Sequence, residues 1–107
     1  MVLTVGGRLG TASSGLLRDA VIQAMDAGHL AILVDLEGVD YMSGAGLLAL
    51  DAAAGRLRAA GGRLALCCAC EAVRVILEFG GLPADVPLEV SRQSGLQRLR
   101  PEPPADR

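Results

Sequence analysis

The chain has 107 residues, 51% of them apolar and only 2% aromatic, with ten basic residues against twelve acidic ones and a formal net charge of −2. That length suits one domain with one modest core, which must be built from Leu, Val, Ile and Ala because rings are so scarce. The acidic balance and the lack of stacking side chains argue against nucleic acid as a partner, and no apolar run approaches the roughly 20 residues of a membrane span.

The opening MVLTVGGRL alternates weakly and predicts a strand closed by Gly6 and Gly7 or by Gly10. Thr11, Ser13 and Ser14 are candidate N-caps of a helix running to about Ala27, with Leu16, Leu17, Ala20, Val21, Ala24 and Met25 on one face and Gly28 ending it. HLAILVDL, His29 to Leu36, is a near-continuous apolar run, the pattern of a strand covered on both faces. EGVDYM then reads as a loop, and a second helix is expected from Ser43 or Gly44 to about Ala60, stopped by Gly61 and Gly62. RLALCC predicts another buried strand, CEAVRVILEF a third helix, and Leu88 to Val90 a short edge strand confined there by Pro83 and Pro87. RQSGLQRL predicts a short last helix. Strands alternating with helices imply right-handed crossovers and a mostly parallel sheet. The expectation is an α/β fold: a single small domain over residues 1–100, with a four- to five-stranded sheet and about four helices. A polar, proline-rich tail at 101–107 is expected to be disordered by composition.

The chemistry available to this chain is sparse. GAGLLA, Gly44 to Ala49, fits the loose dinucleotide pattern at a helix start. In the full fingerprint, however, the glycines follow the strand directly, and the fold has two halves; a small nucleotide-binding protein is kept only as a further alternative. Ser43 lacks the flanking glycines of a nucleophile elbow, since Tyr41 and Ala45 stand in their places. The only histidine, His29, falls at the start of a strand that carries it away from Ser43, so no Ser-His-acid relay is supported. Cys67, Cys68 and Cys70 could suggest a metal nest. Adjacent residues of a strand point to opposite faces, though, and no fourth ligand is near, so small core residues plus one loop thiol is the reading. Asp35, Glu37 and Asp40 read as polar groups of the loop after a strand. No metal or cofactor is called for, and the odd, clustered cysteines suit a reducing, cytoplasmic compartment, as does a start without the basic-then-apolar pattern of a secretory signal.

What remains is the entrance to the second helix. Its first N–H groups lack partners and its dipole end is positive, which suits an anion, an added phosphate or a partner's carboxylate. Ser43 is placed as N-cap, and Gly44, Ala45 and Gly46 leave the backbone bare for close approach.

In their order, GRL, AILVDLEGVDYMSGAGL, LRAAGGRLAL and EAVRVILEFGGL resemble the STAS domain of bacterial anti-sigma-factor antagonists, from about Leu3 to Leu99. The resemblance implies a non-enzymatic module that binds an anti-sigma factor which is also a serine kinase, with phosphorylation at the start of the second helix ending the interaction. It places partner contacts at Asp40, Tyr41, Met42, Ser43, Gly44, Ala45 and Gly46. Gly44 then occupies the usual phosphoacceptor position, leaving Ser43 as the candidate acceptor, and Gly10 stands where such domains usually have Asp. LPADV, near the end, is similar to STAS subunits that sit on the ATPase of lipid-transport ABC systems, the alternative partner. Whether the chain also forms a homodimer through its apolar surface is left open by the sequence.

Overall fold

The structure is a computed structural model and describes residues 1–100; the tail expected at 101–107 lies outside the described residues. Strands and helices alternate strictly: β1 (Val2–Leu9), α1 (Thr11–Asp26), β2 (Ala31–Met42), α2 (Gly44–Ala59), β3 (Arg63–Cys67), α3 (Glu71–Phe79), β4 (Leu88–Glu89) and α4 (Arg92–Leu99). The four strands lie side by side in chain order and every pair is parallel. Because each right-handed crossover steps the same way across the sheet, its helix must fall on the same face. The packing follows suit. Ile32, Val34 and Leu36 of β2, with Leu64 and Leu66 of β3, join Leu17 and Val21 of α1, Leu50 and Leu57 of α2, and Val73 and Leu77 of α3 in one buried core. The other face carries Leu33, Ala65 and Cys67, covered by Leu99 of α4. This two-sided burial explains why residues 31–36 read as a near-continuous apolar run, broken only at Asp35.

The largest departure from the sequence reading is in β2. The stretch expected as a loop, Glu37 to Met42, continues the strand, and β1 extends beside it: Gly6, Gly7, Arg8 and Leu9 pair with Gly38, Val39, Tyr41 and Met42. The register slips twice, between Thr4 and Gly6 and between Gly7 and Arg8, and bulges of this kind break the period-two alternation by which a strand is recognised. Glycine suits the point where the two backbones crowd: a Cβ on Gly38 would lie 3.2 Å from the Val5 carbonyl oxygen and 3.3 Å from the Gly6 Cα, close enough that the backbone would have to give by a few tenths of an ångström.

Smaller corrections concern α1. Its N-cap is Gly10, and Ser13 acts from the third helical position, accepting from the Gly10 N–H at 3.0 Å and donating to the Arg8 carbonyl at 2.6 Å. Leu16, expected on the buried face, is 72% exposed.

Candidate functional site

The entrance to α2 follows from the long β2. Ser43 is the single residue between strand and helix, held by its N–H donating to the Leu9 carbonyl at 3.0 Å. Its Oγ caps the helix by accepting from the Gly46 N–H at 3.4 Å. The two glycines flanking Ala45 differ in purpose. A Cβ on Gly46 would strike the Leu9 carbonyl oxygen and stand 3.1 Å from side-chain carbons of Leu9 and Met42, whereas a Cβ on Gly44 would meet nothing within 4 Å. Gly46 lets the helix start sit against β1; Gly44 answers to no packing demand.

Of the seven residues expected to contact a partner, Asp40, Tyr41 and Gly44 are exposed and Ser43 and Ala45 half-buried. Met42 and Gly46 must be corrected: Met42 is 1% exposed and Gly46 is buried, because both pack under Leu9. They shape the entrance from beneath without reaching its surface. Arg8, Tyr41's partner in the β1–β2 ladder, lays its guanidinium 4.6 Å from the centre of the Tyr41 ring, a cation–π contact that steadies the ring at the rim. Alongside, a groove of about 470 Å³ opens between α1 and α2, lined by Ser14, Arg18, Ala45, Leu48 and Ala52 among others. Leu48 is 70% exposed there.

This geometry also bears on the alternatives. Ser43 follows β2 directly, so the spacing objection to a dinucleotide fingerprint fails; a different one replaces it. Strand order never reverses, so the sheet has no switch-point crevice of the kind that holds a dinucleotide. His29 and Ser43 stand beyond opposite ends of β2, out of reach of one another. In LPADV, Val86 is buried and Asp85 accepts two hydrogen bonds from Arg58, at 2.7 and 2.9 Å.

A second constellation was missed in the sequence. Asp35, read as a loop carboxylate, is inside β2 and 2% exposed. Its Oδ2 accepts from Arg92 Nη2 at 2.6 Å and Nε at 3.1 Å, and its Oδ1 from the Glu37 N–H at 2.9 Å. Burial by itself would raise the Asp35 carboxyl; the Glu37 N–H and the Arg92 guanidinium outweigh it together and hold it below the usual carboxylate range. Cys67 and Cys68, expected on opposite faces, bring their sulfurs to 3.2 Å. The strand ends at Cys67, and Cys68 turns at φ 67, the one non-glycine residue of positive φ among those described. Cys67 is fully buried, and desolvation together with its hydrogen bond to Cys68 pushes its thiol up to about 12.

With the entrance and the strand order in place, the comparisons with known proteins are decisive for kinship. A model of the STAS domain matches residues 1–95. The chain belongs to the STAS domain family. The solved structures it resembles include TM1081 of Thermotoga maritima, assigned to the anti-sigma factor antagonists, with a TM-score of 0.84 at 19% identity over 94% of this chain and 86% of that one. Unphosphorylated SpoIIAA, an anti-sigma factor antagonist, gives 0.67 at 19% over 91% and 86%. The phosphorylated form of SpoIIAA, a Bacillus cell fate determinant, gives 0.68 at 21% over 92% and 89%. At such identities the likeness establishes the fold. No curated protein matches the chain in sequence. Among the described residues of this STAS domain, no helix is long and apolar enough to cross a membrane.

Proposed function

We propose that this STAS domain is a cytoplasmic anti-sigma-factor antagonist, a docking module without catalysis of its own, which binds an anti-sigma factor of the serine-kinase class at the entrance to α2. Asp40, Tyr41, Ser43, Gly44 and Ala45 form the contact rim, and Met42 and Gly46 support it from below. The observation that carries this reading is the contrast between the two glycines: in a family whose structural relatives include anti-sigma factor antagonists, Gly44 faces open space at an exposed helix start. A position free of packing demands and exposed beside a tyrosine suits contact with another protein. The groove between α1 and α2, with exposed Leu48, extends the same surface.

In this reading docking is constitutive. Glycine carries no phosphate, and the neighbouring Ser43 is half-buried with its hydroxyl committed to the cap. The test is a pull-down of small histidine-kinase-like ATPases encoded in the same genome, using the natural chain, Gly44→Arg and Gly44→Ser. The natural chain is expected to retain one such ATPase and Gly44→Arg to lose it. With ATP present, mass spectrometry should find the natural chain unmodified and Gly44→Ser carrying one phosphate. Phosphate on Ser43 of the natural chain overturns the constitutive reading, and retention of an ABC ATPase in place of the kinase overturns the partner.

A further inference from the structure

We propose that Asp35, Cys67 and Cys68 form a binding site for a thiophilic divalent cation of the zinc class, on the sheet face opposite the crossover helices and independent of the docking rim. One ligand atom from each of the three side chains lies within 4.8 Å of the others. The donor set, two thiols and a carboxylate, is of the kind that zinc takes in proteins, and three protein ligands with a fourth, open position is a recurring arrangement.

The chain's own folding draws the donors together. Asp35 and Cys67 are register partners in the β2–β3 ladder, the last pair of that ladder, so their side chains stand on one face. A regular strand would send Cys68 to the other face. Instead its positive φ returns the thiol beside that of Cys67, while its N–H donates to the Glu89 carbonyl at 3.1 Å and anchors the turn to β4. A non-glycine residue in the left-handed region costs free energy that the surrounding structure must offset, and what this one achieves is convergence of two sulfurs.

The outer contacts of such a site are already made. A ligating carboxylate needs hydrogen bonds that fix its direction; both oxygens of Asp35 have them, Oδ2 two from Arg92 and Oδ1 one from the Glu37 N–H, and Oδ1 retains accepting capacity. The charges also match. Two thiolates and one carboxylate leave a single negative charge in excess on a divalent ion, and the Arg92 guanidinium, 2.6 Å from Asp35, offsets it. Access comes from an open cleft of about 510 Å³ lined by Asp35, Cys68, Ser91 and Arg92 among others, from which water supplies the fourth ligand. On binding, the ion displaces both thiol protons to solvent and forms two metal–sulfur bonds. Zinc–sulfur bonds of about 2.3 Å in tetrahedral arrangement set the sulfurs roughly 3.8 Å apart, against 3.2 Å here. Half-buried Cys68, one residue beyond the strand, has the freedom to open that gap.

The experiment titrates the reduced full chain with Cd2+, followed by the ultraviolet thiolate-to-metal charge-transfer band, and with Zn2+ against a chromogenic chelator. Expected is a band that saturates at equimolar metal, persists in Cys70→Ser and weakens in affinity by roughly tenfold or more in Cys68→Ser, with a loss of about 10–100-fold in Arg92→Gln, where only an outer contact is removed. Cys68→Ser keeps the fold because its position is outside the strand and half-buried. No band at equimolar Cd2+ overturns the site. A band lost with Cys70→Ser and kept in Cys68→Ser overturns it equally, by placing the metal on the exposed thiol.

Discussion

The contrast between Gly46 and Gly44 can be put to a direct stability test by replacing each with alanine. At Gly46 the new methyl group meets the Leu9 carbonyl oxygen and the carbons of Leu9 and Met42, at 3.1 Å, in a fully packed region. Overpacking of this kind costs about 1–3 kcal/mol. The oxygen is backbone and is also the acceptor of the Ser43 N–H at 3.0 Å, so moving it endangers a hydrogen bond of about 1 kcal/mol. Against this stands a gain of at most about 1 kcal/mol in helix propensity. The net is a loss of about 1–3 kcal/mol, or about 5–20 °C in midpoint for a domain of this size. At Gly44 the methyl meets open space, only the unfolded chain is constrained, and a gain of about 0.4–1 kcal/mol is expected. Thermal and urea denaturation followed by far-ultraviolet circular dichroism measure both. Equal shifts in the two variants, or a Gly46→Ala protein melting at or above the natural chain, would refute the assignment of one glycine to packing and the other to the surface.

Two further outcomes follow from the ion pairs. Asp35 has a folded-state pKa below its unfolded value, so the stability it contributes is complete above the ordinary carboxylate range of about pH 4 and is lost as pH falls through the depressed folded value. Asp35→Asn should cost about 1.5–3 kcal/mol at neutral pH, the range for a hydrogen bond to a charged group, and should flatten the acid limb of stability against pH below about 4; an unchanged acid limb would count against the pair. Arg58 and Asp85 form a pair of good geometry, but both side chains are 54% exposed and solvent screens them. Arg58→Ala is therefore expected to leave the urea midpoint unchanged at physiological salt, and a clear shift would give that surface pair an unexpected weight.

The order of elements was legible because each segment advertises its own kind. The apolar run at residues 31–36 marked a doubly covered strand, and Gly28, Gly61 and Gly62 marked helix ends; Gly28 and Gly61 do adopt positive φ, at 95° and 83°. What was illegible depends on the neighbour strand. Residues 37–42 carry charges and a glycine on an edge paired to β1 alone, with two slips of register, and no local pattern shows that β1 is long enough to meet them. Asp35 looked like a loop residue for the same reason: its partner Arg92 is 57 positions away. The two sulfurs failed to register because strand alternation was extended one residue too far, and the turn at Cys68 has no sequence signal of the sort glycine provides. The docking entrance was readable as a helix start, but which of its residues face outward depended on Leu9, again from β1.

One inequality of length organises both candidate sites. β2 has twelve residues and β3 only five, and their ladder closes at Asp35 and Cys67. Up to that pair, β2 is a central strand, covered by α4 on one side and the crossover helices on the other. Beyond it, seven residues project alongside β1 alone, a span of roughly 20 Å at about 3.3 Å per residue. The Asp35–Cys67–Cys68 cluster gathers where β3 stops, under Arg92 at the start of α4, because there the backbone of Cys68 is free to turn. The α2 entrance sits at the far end of the projection, clear of β3 and β4. The bulged extension thus serves two ends: Leu36, Val39 and Met42 anchor it in the core, while exposed Asp40 and Tyr41 and the α2 entrance stand at its tip.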